Sequence, residues 1–384
     1  MALFVAGQPE YAMPNETDAG SAAGGDNQSS DAGGPPAGYY TYDYPVVPPA
    51  ILAAKVASVA LLVLVTVAGN AVVVAIILCN KHMRTTTYFY LMNLAVADIG
   101  IALISEWTWL ANHLMKRWLF GEAMCKISAL LQGVSVHVSI LTLTVVAGDR
   151  YFAILHPLKS RVIKRNAGLV IGVVWLIAFL INIPLLLNMK HTTHTWDDGV
   201  VTSWCYEYWG DEEGRETARA VYTLSLFLLV YVLPLALMTA TYVRIGCTLR
   251  LRSSHGPGVK VEGKVSAQER AKRKVIKMLV VVVSMFALCW FPFHTLNLIQ
   301  DWSPHINSNH IPKELWFVST WLAYANSAMN PFVYCGFNEN FRRGFRDAFT
   351  GRWCAGKKRQ VKPNKSVCSS HVTDGTVVES TSML

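Results

Sequence analysis

The sequence predicts an all-α membrane protein: a seven-transmembrane helix bundle with a short amphipathic eighth helix. Three observations predict it. Only 15% of the 384 residues are charged and 52% are hydrophobic, whereas about 25% are charged in a typical soluble domain. The apolar residues gather into seven runs, near 53–79, 88–114, 122–153, 168–189, 220–246, 275–299 and 315–336. Each is long enough for the roughly 20 residues a helix needs to cross a hydrocarbon core. Finally, the charges of the linkers sort by side. One apolar run can be a buried helix of a soluble enzyme, but seven in series argue against that.

Residues 1–50 come first. They are rich in Gly, Ala, Ser, Asn and Asp, and read as a disordered tail. Asn15-Glu16-Thr17 and Asn27-Gln28-Ser29 are glycosylation sequons, so Asn15 and Asn27 favour an extracellular N-terminus. With an odd number of spans the two ends lie on opposite sides. If the N-terminus is outside, 26 of the 34 Lys and Arg face the cytosol and 17 of the 25 acids face outward. That is the bias of membrane proteins, and it predicts a multi-pass plasma-membrane protein. The net charge of +9 then reads as a cytosolic face beside anionic lipid and a partner, not as nucleic-acid binding.

The bundle, residues 51–337, carries costly polar groups inside its spans. Asn70 sits in span 1, Asp98 in span 2, Ser139 in span 3, and Asn326 and Asn330 in span 7. Asp98 among amides and a hydroxyl suits a small cation such as Na⁺, or a water network; a structural polar cluster is the alternative. No Cys/His set has zinc spacing and no other cofactor is implied. Pro184, Pro234, Pro292 and Pro331 fall inside helical runs, where proline removes a donor and kinks the helix. Asp149-Arg150-Tyr151 ends span 3, where Asp149 can hold Arg150 until helix movement frees it for a partner. A snorkelling interfacial arginine is the alternative.

Of eight cysteines, only Cys125 and Cys205 face the oxidising side. They are expected to form a disulfide. It would staple the loop "WCYEYWGDEE" over the bundle mouth, with Glu207 two residues past the bridge. Rings beside acids suit a cation with apolar neighbours; a solvated acidic loop is the alternative.

After span 7, "NENFRRGFRDAF" places Phe341, Phe345 and Phe349 at helical spacing with arginines between. Residues 338–350 therefore read as a helix lying on membrane lipid. Cys354 follows as a palmitoylation candidate. The remainder, 351–384, reads as a disordered cytosolic tail. Its Ser and Thr make it a receptor-kinase substrate that would draw an arrestin-like partner. The end, Ser382-Met383-Leu384, resembles a PDZ ligand.

Taken together, the chain resembles the rhodopsin-like (class A) G-protein-coupled receptors over about residues 50–350. The motifs stand in register: Gly69-Asn70, "LAVAD" ending at Asp98, Trp118 before Cys125, Asp149-Arg150-Tyr151, Trp175, Pro234 with Tyr242, Cys289-Trp290-Phe291-Pro292, and Asn330-Pro331-Phe332-Val333-Tyr334. The resemblance implies a sodium site at Asp98, Ser139, Asn326 and Asn330. It implies a switch in which Trp290 couples ligand to helix motion, and Arg150, Tyr242 and Tyr334 admit a heterotrimeric G protein. Where many members carry an acid at the start of span 6, this chain has Lys272, so Asp149 alone would hold Arg150. Gln132 replaces the aspartate of amine receptors, and Tyr324 replaces the retinal lysine of opsins. "LLQGVSVHVSILTL", "CYEYW", "CWFPFH" and "NPFVYCGFNENFRRGF" resemble receptors for RFamide-type neuropeptides, such as those for neuropeptide FF and pyroglutamylated RFamide peptide. Orexin, neuropeptide Y and cholecystokinin receptors come next, and a lipid receptor of the same fold is the further alternative. An amidated Arg-Phe peptide would place its arginine at Glu207 or Glu106 and its amide at Gln132. Trp107, Trp109, Phe293, His294, Trp321 and Tyr324 would line the ring's pocket. The resemblance implies a receptor, not an enzyme.

Overall fold

The computed structural model describes residues 48–156, 166–196, 199–210, 214–254, 267–302 and 311–350. Asn15, Asn27, Cys354 and the terminal Ser382-Met383-Leu384 lie outside them, as does the side chain of Lys272.

Spans 1 to 4 are Pro49–Cys79, Thr86–Met115, Gly121–Leu155 and Ala167–Asn188; span 5 is Thr217–Leu249. Span 6 is Ala267–Trp302 and span 7 is Lys313–Phe337. The first six are long and apolar enough to cross a membrane by length and composition. Span 7, at 25 residues, is about 37 Å long at 1.5 Å per residue, so it also reaches across. It is more polar because Ser319, Thr320, Asn326, Ser327 and Asn330 are buried in the bundle, where spans 1 and 6 pack on it. The bundle closes in the order 1–2–3–5–6–7–1, with span 4 packed outside spans 2 and 3. Leu169, Leu187 and Leu288 point outward at 68%, 76% and 73% exposure, which lipid tolerates and water does not.

Buried amides tie the spans together. Asn70 Nδ2 donates to Thr66 O at 2.9 Å and to Ser327 O at 3.1 Å, joining spans 1 and 7. Asn93 Nδ2 donates to Thr142 Oγ1 at 2.9 Å, and Trp175 Nε1 donates to Asn93 Oδ1 at 2.8 Å. That one amide joins spans 2, 3 and 4. Asn182 lies 2.6 Å from His137 Nδ1. Gly133 makes this possible, because a Cβ there would stand 2.0 Å from Asn182 Oδ1.

Span 4 breaks at Asn182 and restarts as Ile183–Asn188, with Pro184 in its first turn. Pro292 and Pro331 stay inside spans 6 and 7. Two π-helical turns, Ala102–Glu106 and Phe227–Val232, interrupt spans 2 and 5.

The segment between spans 4 and 5 forms an antiparallel hairpin, β1 Met189–Thr195 and β2 Val201–Glu207, with His191 opposite Cys205. Sequence reading treats this segment as a loop. Its β-branched Thr192, Thr193, Thr195, Val201 and Thr202, flanking Asp198-Gly199, are the missed strand and turn signals. The helix Glu339–Phe349 follows span 7, capped by Asn338, whose side chain accepts from Asn340 N at 3.0 Å. Phe341 is buried against Tyr334 and Tyr88, at ring distances of 5.3 and 5.7 Å. Gly344 seats the helix on span 1, where a Cβ would stand 2.7 Å from Ile76. Cys79, the last residue of span 1, is disulfide-bonded.

Candidate ligand site and switch

The Cys125–Cys205 disulfide is formed, with a Cα–Cα distance of 5.6 Å. It fixes β2 to the N-terminal end of span 3. Trp118 N donates to Ser203 O at 2.6 Å, and Ser203 Oγ donates back to Trp118 O at 2.5 Å. The hairpin is thus clamped to the segment between spans 2 and 3 as well. Glu207, at the end of β2, is buried and accepts from Trp209 Nε1 at 2.5 Å.

Glu106 has no such partner. It ends the π turn of span 2 and is fully buried, and neither carboxylate oxygen is hydrogen-bonded among the described residues. It lies within electrostatic reach of Asp98 and Tyr324. The same condition recurs around the bundle. Both amide atoms of Gln132, the hydroxyls of Thr320 and Tyr324, and Nε1 of Trp290 and Trp321 are buried and, among the described residues, unpaired. Buried polar atoms are nearly always paired, and leaving one unmade costs about 1–3 kcal/mol, more if charged.

Aromatic side chains pack into a wall beside Tyr324 and Trp290. Trp109 is buried, stacked on Phe317 at 5.2 Å and edge-on to Tyr324 at 5.5 Å. Phe293 is fully buried between Trp290 and Trp316, at 5.8 and 6.3 Å. His294 packs 4.4 Å from Tyr231. Trp107 does not join this wall: it is 41% exposed, donates to Leu103 O and packs edge-on to Phe120. Consecutive helix positions point about 100° apart, so Trp107 and Trp109 face different sides.

Deeper in the bundle, Asn330 Nδ2 donates to Asp98 Oδ2 at 2.9 Å. Asp98 Oδ1, Asn326 Oδ1 and Asn330 Oδ1 are buried and have no hydrogen-bond partner among the described residues. Ser327, which sequence reading misses, lies beside Asp98. Ser139 Oγ donates to Ser135 O at 3.0 Å, leaving its own lone pairs as acceptors. Unpaired oxygens around one carboxylate fit a hard monovalent cation. Among the described residues no group of three or more His, Cys, Asp or Glu could hold a metal ion.

Near the C-terminal end of span 3, Arg150 Nη2 pairs with Asp149 Oδ2 at 3.0 Å. Thr87 Oγ1 donates to the same oxygen at 3.1 Å. Tyr242 lies within electrostatic reach of Arg150, and the hydroxyls of Tyr242 and Tyr334 are buried and, among the described residues, unpaired. Tyr151 packs edge-on to Phe152 instead. Span 6 is tied elsewhere: Lys274 Nζ pairs with Glu339 Oε1 at 3.0 Å and holds that carboxyl below its ordinary range.

A model of the "7 transmembrane receptor (rhodopsin family)" matches residues 69–334. The chain belongs to the rhodopsin family of seven-transmembrane receptors. The receptor is 34% identical over 314 residues to the mouse (Mus musculus) neuropeptide FF receptor 2, covering 78% of this chain and 73% of that one. It is 37% identical over 331 residues to the human (Homo sapiens) neuropeptide FF receptor 1, covering 82% and 73%. It is also 36% identical over 302 residues to the tachykinin-like peptides receptor 99D of Drosophila melanogaster, covering 76% of this chain and 56% of that one. It is a multi-pass membrane receptor, not an enzyme.

Proposed function

We propose that the receptor is activated by an extracellular neuropeptide, amidated at its C-terminus and of RFamide type, and signals to a heterotrimeric G protein. One observation carries this reading: a fully buried, unpartnered Glu106 among aromatic rings, below a disulfide-stapled hairpin. A guanidinium supplies the partner that carboxylate lacks. The unpaired amide of Gln132 both donates and accepts, and so complements a terminal carboxamide. Trp109, Phe293, Trp321 and Tyr324 receive the adjoining ring, with His294 beside them. Glu207 already has the Trp209 indole, and serves better to steer the peptide at the mouth. The names of the relatives, receptors for neuropeptide FF and for tachykinin-like peptides, support a peptide ligand.

In this reading the N-terminus is outside the plasma membrane and glycosylated at Asn15 and Asn27. Sodium binds at Asp98, Ser139, Asn326 and Asn330 and holds the resting state. Ligand contact at Trp290 swings span 6 about Pro292, and Pro331 lets span 7 follow. Arg150 leaves Asp149 and meets Tyr242 and Tyr334. The tail recruits a receptor kinase and arrestin, Cys354 takes a palmitoyl chain, and the C-terminus engages a PDZ protein. Competition binding on receptor membranes tests the ligand. A peptide ending Arg-Phe-amide should outcompete its free-acid and citrulline forms; equal affinity of all three, or displacement by lipid extract alone, would refute it.

A further inference from the structure

Lysines from spans 1 and 2 and the start of span 7 meet at the hairpin's end of the bundle. Lys55 of span 1 is buried at the centre of the group. Its Nζ pairs with Glu314 Oε2 at 2.9 Å, lies 3.3 Å from His113 Nε2 and stands 4.8 Å from the centre of the Phe317 ring. Lys116 follows the last residue of span 2. Its ammonium is a hydrogen-bonding neighbour of the Lys313 ammonium, within electrostatic reach of Lys55 and Glu314. We infer that this cluster is a second ligand subsite, which takes an acidic side chain of the activating peptide upstream of its arginine. The inference rests on the peptide ligand proposed above and assigns what the rest of that peptide binds.

Charge supports this. Lys55, Lys116 and Lys313 share one acid, Glu314, which already pairs with Lys55 and is 68% exposed. Two ammonium groups at hydrogen-bonding distance repel, and the strain shows on Lys116, which is pushed down to about 8 by burial and then by Lys313. A carboxylate set between Lys116 and Lys313 would remove that repulsion and keep both charged. Lys313 is exposed and Lys116 half-buried, so an incoming acid reaches them without displacing Glu314 from Lys55.

The backbone adds a second, independent observation. Among the described residues Lys116 is the one non-glycine residue with positive φ, at 51°. It closes the helix of span 2 by donating its N–H to Asn112 O at 3.0 Å. Glycine is the usual residue at such a left-handed cap, because a side chain there is strained. Folding thus disfavours Lys116 both by backbone conformation and by like charge. Strained residues of this kind gather at ligand clamps.

Position joins the cluster to the first site. His113 lies one turn beyond Trp109, and Lys313 one turn before Phe317, on the same helix faces. The rings touch: Trp109 and His113 are 5.9 Å apart, and His113 and Phe317 5.2 Å. Trp109 in turn meets Tyr324, which is within electrostatic reach of Glu106. From Glu106 to Lys116 is about 15 Å along span 2 at 1.5 Å per residue. An extended peptide covers about 3.3 Å per residue, so its acid belongs about four or five residues before the arginine.

Competition binding on membranes of the full-length receptor tests this. The probes are amidated peptides ending Arg-Phe, with one aspartate about four or five residues before the arginine, and their asparagine isosteres. Wild type should bind the aspartate form about tenfold tighter, the weight of one hydrogen bond to a charged group. Lys116→Gln and Lys313→Gln should each shrink that ratio, and the double variant should bring it to about one, with the asparagine form bound as in wild type. Lys126→Gln removes an equal charge from the same end of the bundle, where its ammonium already pairs with Glu122 at 2.6 Å. It should leave the ratio unchanged. Equal affinity of the two forms for wild type would overturn the subsite. So would an aspartate advantage that survives in the double variant, or one that Lys126→Gln lowers as much as Lys116→Gln. Failure of both forms to bind would overturn the peptide reading, and the subsite with it.

Discussion

Glu106→Gln should move two readouts in opposite directions. Glu106 is fully buried and, among the described residues, neither carboxylate oxygen is hydrogen-bonded. Burying an unmade polar group costs about 1–3 kcal/mol, and more for a charge. The amide is of equal size and removes the charge, so the empty receptor should melt higher by about 2–4 °C. Ligand binding should respond the other way. Losing one partner of a desolvated charge pair costs about 2–5 kcal/mol, which is about thirtyfold or more in affinity. The assay is a double-mutant cycle: wild type and Glu106→Gln, each with an Arg-Phe-amide peptide and its citrulline analogue. Coupling of about 2 kcal/mol or more is expected at Glu106. Coupling of about 0–1 kcal/mol, the value for a solvated rim charge, is expected at Glu207. Coupling near zero at Glu106 together with a lower melting temperature would refute the reasoning, because Glu106 would then hold the bundle and not the ligand.

Asp98→Asn should abolish the effect of sodium on agonist affinity; an equal sodium shift in both proteins would place the ion elsewhere. Gly344→Val should undock the Glu339–Phe349 helix, since even a Cβ would stand 2.7 Å from Ile76 and overpacking costs about 1–3 kcal/mol. Faster amide exchange over 339–349 would report it. Lys116 is pushed down to about 8 by burial, and further by the neighbouring Lys313. Its charged form is therefore penalised in the folded state below pH 8, and the penalty fades as pH rises from 8 toward 10.5. Lys116→Gln should raise the melting temperature at pH 7 and leave it unchanged at pH 10.5. Truncation after residue 350 should preserve G-protein activation and remove arrestin recruitment, read by paired cell assays.

Long-range order along the chain was legible because its signals are local. Apolar runs give spans, Pro184 marks the break in span 4, and two isolated thiols give the Cys125–Cys205 bridge. The site was legible as residue types but not as geometry. The π turn that ends at Glu106 has no residue signature, because it arises from packing between spans. Trp107 and Trp109 read alike as a pair, yet only the second faces inward. Lys55 counts in sequence as one outer charge. In the fold it is buried and bonds Glu314 at 2.9 Å and His113 at 3.3 Å, and it lies over the Phe317 ring at 4.8 Å. That partner is 259 residues away, beyond any periodicity. Lys274 and Glu339 likewise meet only because the helix after span 7 turns back beneath the bundle.

Ligand-stimulated nucleotide exchange tests the central claim most directly. Purified receptor in nanodiscs is mixed with heterotrimeric G protein, and guanine-nucleotide uptake is followed as peptide is added. An Arg-Phe-amide peptide should accelerate uptake in a saturable manner, its free-acid form should do so weakly, and Glu106→Gln should shift the curve to about thirtyfold higher concentration. No acceleration by amidated peptides, or equal acceleration by the free acid, would contradict the account.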